Sequence, residues 1–121
     1  MAEFSLPHHH GESWNEAALK ERLADPASFE SVSRVLRLLD DTSRVRIFWL
    51  LCHCEECVIN ISALVDMSAP AVSHHLRQLK SGGLIVSRRE GKEVYYRTSD
   101  TPAARLLHQV IELIMEIACP R

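Results

Sequence analysis

No run of apolar residues in this 121-residue sequence approaches the roughly 20 needed to cross a bilayer, so no membrane-spanning helix is expected. The opening residues, Met1-Ala-Glu-Phe-Ser-Leu-Pro7, lack the basic segment and apolar core of a secretory signal. A cytoplasmic protein with no membrane partner is expected. No internal repeat and no low-complexity segment occur, which leaves out repeat architectures. An excess of positive charge is also missing: the formal net charge is -2. A uniformly basic nucleic-acid binder is thereby excluded, but a local basic patch is not.

Such a patch is present. Between Arg77 and Arg97 stand six basic residues, Arg77, Lys80, Arg88, Arg89, Lys92 and Arg97, against Glu90 and Glu93. The first 31 residues hold six acids against Lys20 and Arg22. Phosphate contact depends on the local field, not on the total. Hydrophobic residues make up 46% and charged residues 25%, which predicts one soluble globular domain. A core of this size is modest, and a dimer would enlarge it. Four cysteines in a reducing cytosol predict metal-binding or redox-active thiols, not a disulfide framework.

Residues 1–12, with Pro7, His8, His9, His10 and Gly11, show no periodicity and read as a mobile histidine-containing arm. Residues 13–121 read as a DNA-binding domain with dimerisation helices. Ser13 is the expected cap of a helix from Trp14 to Ala24, broken by Asp25-Pro26. Ser28 is the expected cap of a second helix through Val32, Val35, Leu36 and Leu39. Asp41-Thr-Ser caps a third, with Val45, Ile47, Phe48, Leu50 and Leu51 apolar. A short helix over Asn60–Val65 follows. Ser68 caps the next, with Pro70 in its first turn and Gly82-Gly83 at its end. Leu84–Arg89 and Glu93–Arg97 alternate as strands around Glu90-Gly91-Lys92. Asp100 is the expected cap of a last helix that is apolar over more than one face: Leu106, Leu107, Val110, Ile111, Ile114, Met115 and Ile117. A terminal helix this apolar needs a partner surface, and a second copy of the chain is the simplest one. Leu107, Val110, Ile111 and Ile114 are expected at that surface.

A capped helix, a glycine turn and a basic two-stranded hairpin, in that order, make a winged helix-turn-helix in a mainly α chain. The sequence resembles the ArsR/SmtB family of metal- and stress-sensing repressors over Ser31 to Ile117. The residues that carry the likeness are Asp40-Asp-Thr-Ser-Arg-Val-Arg-Ile47, Ser68 through Leu79, Gly83-Leu-Ile85, and Arg89-Glu-Gly-Lys-Glu-Val-Tyr-Tyr96. The resemblance implies a homodimer on palindromic double-stranded operator DNA, released when an inducer binds. It places Ser68, Ala69, Ser73, His74 and Arg77 toward the groove, with Gln78 a weaker candidate. Small and polar residues at a helix N-terminus suit that role, since they allow close approach and favour phosphate. Arg88, Arg89 and Lys92 would meet backbone or minor groove. The bland alternative is a solvated basic face. His75 is assigned to helix packing, since adjacent residues point about 100° apart.

The same resemblance implies a thiol metal site at the start of the helix before the turn. Cys57 matches the first cysteine of the family's Cys-x-Cys pair, and Ile59 stands where the second would be. Cys54 and Cys57 are the expected chelating pair, with Cys52 or His53 as a third ligand and His8, His9 or His10 as a fourth. Thiolate with imidazole suits Zn(II), Cd(II), Pb(II) or Co(II), and three thiols suit As(III). No organic cofactor is expected. Cys52 also reads as a plain core residue, and the histidine arm as a segment without a role. The family's second site, on the last helix, retains Asp100 and Glu116 but has Pro102 and Leu113 in place of its histidines. It is therefore expected to be absent, and His108 reads as a surface histidine. Three rivals remain: a thiol redox or persulfide sensor of the same fold, with Cys119 as a further thiol; an interaction module with a permanent zinc; and a C-x-x-C oxidoreductase. The last needs a strand before the motif, where a helix is expected, so the chain is not expected to be an enzyme.

Overall fold

The computed structural model describes residues 5–11 and 14–116. Ser13, Ile117 and Cys119 lie outside the described residues. The chain divides into two units, residues 1–34 and 35–121.

The first unit carries α1 (Glu16–Leu23) and most of α2 (Pro26–Leu38). The Asn15 side chain caps α1 by accepting from the Ala18 N–H at 2.9 Å, so the helix begins two residues later than expected. α2 begins two residues before Ser28. Pro26 opens it, where a missing N–H leaves nothing unpaired, and the Ser28 hydroxyl donates back to Asp25 Oδ2 at 2.7 Å. Phe29, Val32 and Leu36 share one stripe of α2 and are all exposed.

The second unit holds the core. α3 (Thr42–Leu51) contributes Ile47, Phe48 and Leu51; α4 (Val58–Val65) contributes Ile61 and Val65; α5 (Ala69–Ser81) contributes Val72, Leu76 and Leu79. The α5 residues recur at four- and three-residue steps, which puts them on one face. Each such side chain, once fully buried, contributes about 1.5–3 kcal/mol of transfer free energy. Asp66 ends α4 in the left-handed region at φ 57°. Aspartate tolerates that conformation, and it lets the chain turn sharply into Ser68, whose Oγ accepts from the Ala71 N–H at 3.3 Å. Gly83, at φ 82°, closes α5 and feeds the wing.

The wing is β2 (Ile85–Glu90) paired antiparallel with β3 (Glu93–Thr98). A third strand joins it: β1 (Glu56–Cys57) pairs antiparallel with β3, Glu56 opposite Tyr96 and Cys57 opposite Tyr95, in the order β1-β3-β2. Two residues are too few for a period to show in sequence. α6 (Pro102–Met115) is capped by Thr101, whose hydroxyl accepts from the Ala104 N–H, and not by Asp100, which pairs with Arg105 instead. Ala104 and Ile111 of α6 belong to the chain's own core and Leu107 packs against it, while Leu106, Val110, Leu113, Ile114 and Met115 are exposed. Ile111 therefore lies inside the chain, contrary to its expected place at the partner surface. None of the described helices is long and apolar enough to cross a membrane.

Candidate functional site

α5 presents its polar residues away from the core. Ser68, Ala69, His74 and Arg77 are exposed and Ser73 is half-buried. Arg77 has no side-chain partner among the described residues. Gln78 is different. Its Oε1 accepts from Arg44 Nη1 at 2.7 Å. Arg44 also donates through Nε to the Leu38 carbonyl at 2.8 Å and through Nη2 to the Arg37 carbonyl at 3.3 Å. One guanidinium therefore joins the end of α2, the start of α3 and the last turn of α5. Charge-assisted bonds of this kind are stronger than neutral ones. Sequence reading found the Asp40–Ile47 segment but not this role for Arg44. Asp41, the cap of α3, accepts from the Arg44 N–H, which holds its carboxyl below the usual range. His75 is half-buried, and burial pushes its pKa down, as fits a packing residue.

The wing cations are not equivalent. Arg88 bonds Glu55 Oε1 through Nε at 2.7 Å and Nη2 at 2.6 Å, bonds Glu90 through Nη1 at 2.7 Å, and lies 4.8 Å over the Tyr95 ring. Glu55 first, then Glu90, pair with it and push its pKa up. Arg89 reaches only the Gly91 carbonyl, at 3.2 Å, and Lys92 is exposed with no partner among the described residues. Arg89 and Lys92 are wing cations without a carboxylate partner among the described residues.

Glu55 and the thiols occupy one loop between α3 and α4. Cys57 is both the N-cap residue of α4 and a rung of the sheet opposite Tyr95. Glu56 steadies it: its Oε2 accepts from the Cys57 N–H at 3.2 Å and from Asn60 Nδ2 at 2.8 Å. Cys54 is half-buried, with Sγ 3.5 Å from the Leu50 carbonyl. Burial, then the charge of Glu56, pushes its pKa up. Cys52 packs against the core. Its pKa is also raised by burial, although the Thr98 hydroxyl donates to its sulfur at 3.3 Å. To bind a soft metal ion, this candidate thiol pair, Cys54 and Cys57, would have to give up its protons. His8, His9 and His10 are exposed, and the His8 and His10 rings stack with centroids 6.1 Å apart.

Among the described residues, the metal-ligand side chains that converge in a group of three are others: His53, His108 and Glu112. His108 is not the surface residue that its place on the last helix predicts. Its side chain is 22% exposed and its Nε2 lies 2.9 Å from Glu112 Oε1. The spacing of His108 and Glu112, one helical turn apart, is the signal that sequence reading passed over.

Residues 41–87 match the family described as bacterial regulatory protein, arsR family. The chain is 35% identical over 88 residues to a cadmium resistance transcriptional regulatory protein CadC homolog of Staphylococcus aureus, covering 72% of this chain and 73% of that one. It is 34% identical over 87 residues to a transcriptional repressor SmtB homolog of Synechocystis, covering 72% and 66%. Among solved structures, a homodimeric winged helix-turn-helix DNA-binding domain from Mycobacterium bovis is 30% identical at a TM-score of 0.65, covering 89% of this chain and 91% of that one. With the reading helix, the wing and these likenesses in agreement, the chain belongs to the arsR family of bacterial regulatory proteins.

Proposed function

We propose that the protein is a dimeric transcriptional repressor that holds palindromic operator DNA and lets go when a thiophilic metal ion binds Cys54 and Cys57. α5 enters the major groove with Ser68, Ala69, Ser73, His74 and Arg77. Arg89 and Lys92 lie along the backbone, and Gln78 positions α5 through Arg44. The observation that carries the reading is the double membership of Cys57: it starts the first helix of the reading pair and is bonded to the central strand of the wing. A metal ion that draws Cys57 toward Cys54 moves both DNA-contacting parts together. The exposed apolar row of α6 supports a second copy as its cover. Relatives whose names specify cadmium resistance and repression support the class of inducer and the direction of control. Cd(II) is the first ion to try, with Zn(II), Pb(II) and As(III) beside it. His8, His9 and His10 are available as further ligands, and Cys52 stays in the core.

A coupling of about 1–3 kcal/mol between metal and DNA is enough to switch a gene. The rival redox reading is less well supported, because a relative's name specifies cadmium resistance, while the burial of Cys54 disfavours the thiolate that both readings require. The test is fluorescence anisotropy of an operator duplex with reduced protein, titrated with each metal and, separately, with oxidant or persulfide. The Cys54→Ser, Cys57→Ser double variant should bind DNA as the wild type does and ignore the metal. Release that persists in the double variant, or release by oxidant alone, rejects the metal reading.

A further inference from the structure

We propose that His53, His108 and Glu112 form a second metal site, free of thiols, for a divalent first-row ion of the Zn(II) and Co(II) kind. It lies within one chain, between the turn that follows α3 and the middle of α6, and it stands independently of the cysteine reading. It is also distinct from the family's last-helix site, whose two histidines are Pro102 and Leu113 here.

The geometry argues for an ion. His108 Nε2 lies 3.2 Å from His53 Nε2 and 2.9 Å from Glu112 Oε1. A ring nitrogen carries either one proton or one lone pair, so a single proton has to serve both contacts. A cation at their centre satisfies all three donor atoms at once. Two nitrogens bound to a tetrahedral zinc at the usual bond length stand about 3.3 Å apart, close to the separation found here. All three donor atoms lie within 4.8 Å of one another, so small side-chain rotations complete the site. Two neutral imidazoles and one carboxylate suit Zn(II) and Co(II), and they leave a fourth position for water.

The surroundings resemble a supporting shell. Trp49 Nε1–H donates to Glu112 Oε2 at 3.3 Å, which orients the carboxylate from behind. The Trp49 ring lies against His53 with centroids 4.5 Å apart, and the His53 and His108 rings meet edge to face at 4.9 Å. The Glu112 side chain is only 11% exposed. A bound cation would add to the compensation that Trp49 and His108 already give this carboxylate. Bound there, an ion ties the end of α3, which leads into the cysteine loop, to the helix whose exposed face is offered to a partner.

The test uses the full chain with Cys54→Ser and Cys57→Ser, so that thiol binding does not mask the result. Co(II) should bind at one equivalent per chain, with a tetrahedral visible spectrum and no thiolate charge-transfer band. Zn(II) should change Trp49 emission in a Trp14→Phe background. His53→Gln and His108→Gln should each abolish both signals, and Trp49→Phe should weaken Co(II) affinity roughly 10- to 100-fold. His53→Gln sits in a turn, and circular dichroism confirms its fold. Absence of Co(II) uptake by the cysteine variant overturns the proposal, as does uptake that survives both histidine substitutions. Neither result touches the cysteine reading, which rests on DNA release.

Discussion

The reading face and the ligand-bearing end of this unit treat polar side chains in opposite ways. Along α5, Arg77 is exposed without a side-chain partner among the described residues, and on the wing Lys92 is the same. Between α3 and α6, His53, His108, Glu112 and Trp49 are committed to one another. A surface meant for a polyanion keeps its donors unspent, since any internal partner competes with phosphate. A region that holds an ion or transmits its binding needs its ligands oriented beforehand. The exceptions are Arg88, a wing cation spent on Glu55 and Glu90, and Arg97, whose Nε lies 3.7 Å from Glu55.

Four tests, made with five substitutions, bear on that contrast. The largest effect belongs to the support of the reading face. Leu76 is 1% exposed, and Leu76→Ala should destabilise the protein by about 2–5 kcal/mol in urea unfolding at fixed protein concentration. A loss under about 1 kcal/mol would show that α5 is not held by its buried face. Next, Arg77→Ala should cost on the order of 1–3 kcal/mol of operator affinity with little change in thermal midpoint. Unchanged affinity would remove Arg77 from the contact. Third, the salt dependence should separate spent from unspent charge. Lys92→Ala should flatten the slope of log affinity against log salt by about 1, and Arg88→Ala should flatten it less. Equal slopes would erase the distinction. The smallest effect concerns pH. The Asp41 carboxyl is held below its ordinary value, chiefly by the Arg44 N–H, so its charge favours the folded state above the unfolded pKa. That contribution fades as pH falls through the lower folded value. Asp41→Asn should therefore be less stable than wild type at neutral pH and match it in acid. A gap that persists in acid would point to the cap geometry instead of the charge.

The helix α5 was legible because its signals are local. Ser68, Pro70 and Gly82 mark the ends of α5, and Val72, Leu76 and Leu79 declare its buried side within eleven residues of Ser68. The wing was legible as two strands for the same reason. Partners far apart in sequence were not. Glu55 and Arg88 are 33 residues apart, and His53 and His108 are 55 apart. Counting basic residues shows how many charges the wing carries but not which are already neutralised. The two-residue β1 has no period of its own and exists only because β3 offers it an edge. Arg44 reads as one more surface cation until α2 and α5 are folded around it.

The bond between Glu55 and Arg88 makes ionic strength an input at two places. It is a surface pair, and salt screens such pairs over about 8 Å at physiological concentration. The same salt weakens phosphate contact throughout. Raising it therefore slackens the tether of the cysteine loop to the wing while it loosens the DNA. Release curves compared between buffers of different salt content confound the inducer with ionic strength. Titrations at constant ionic strength separate the two, and the response of the loop to salt alone becomes a measurable property of the molecule.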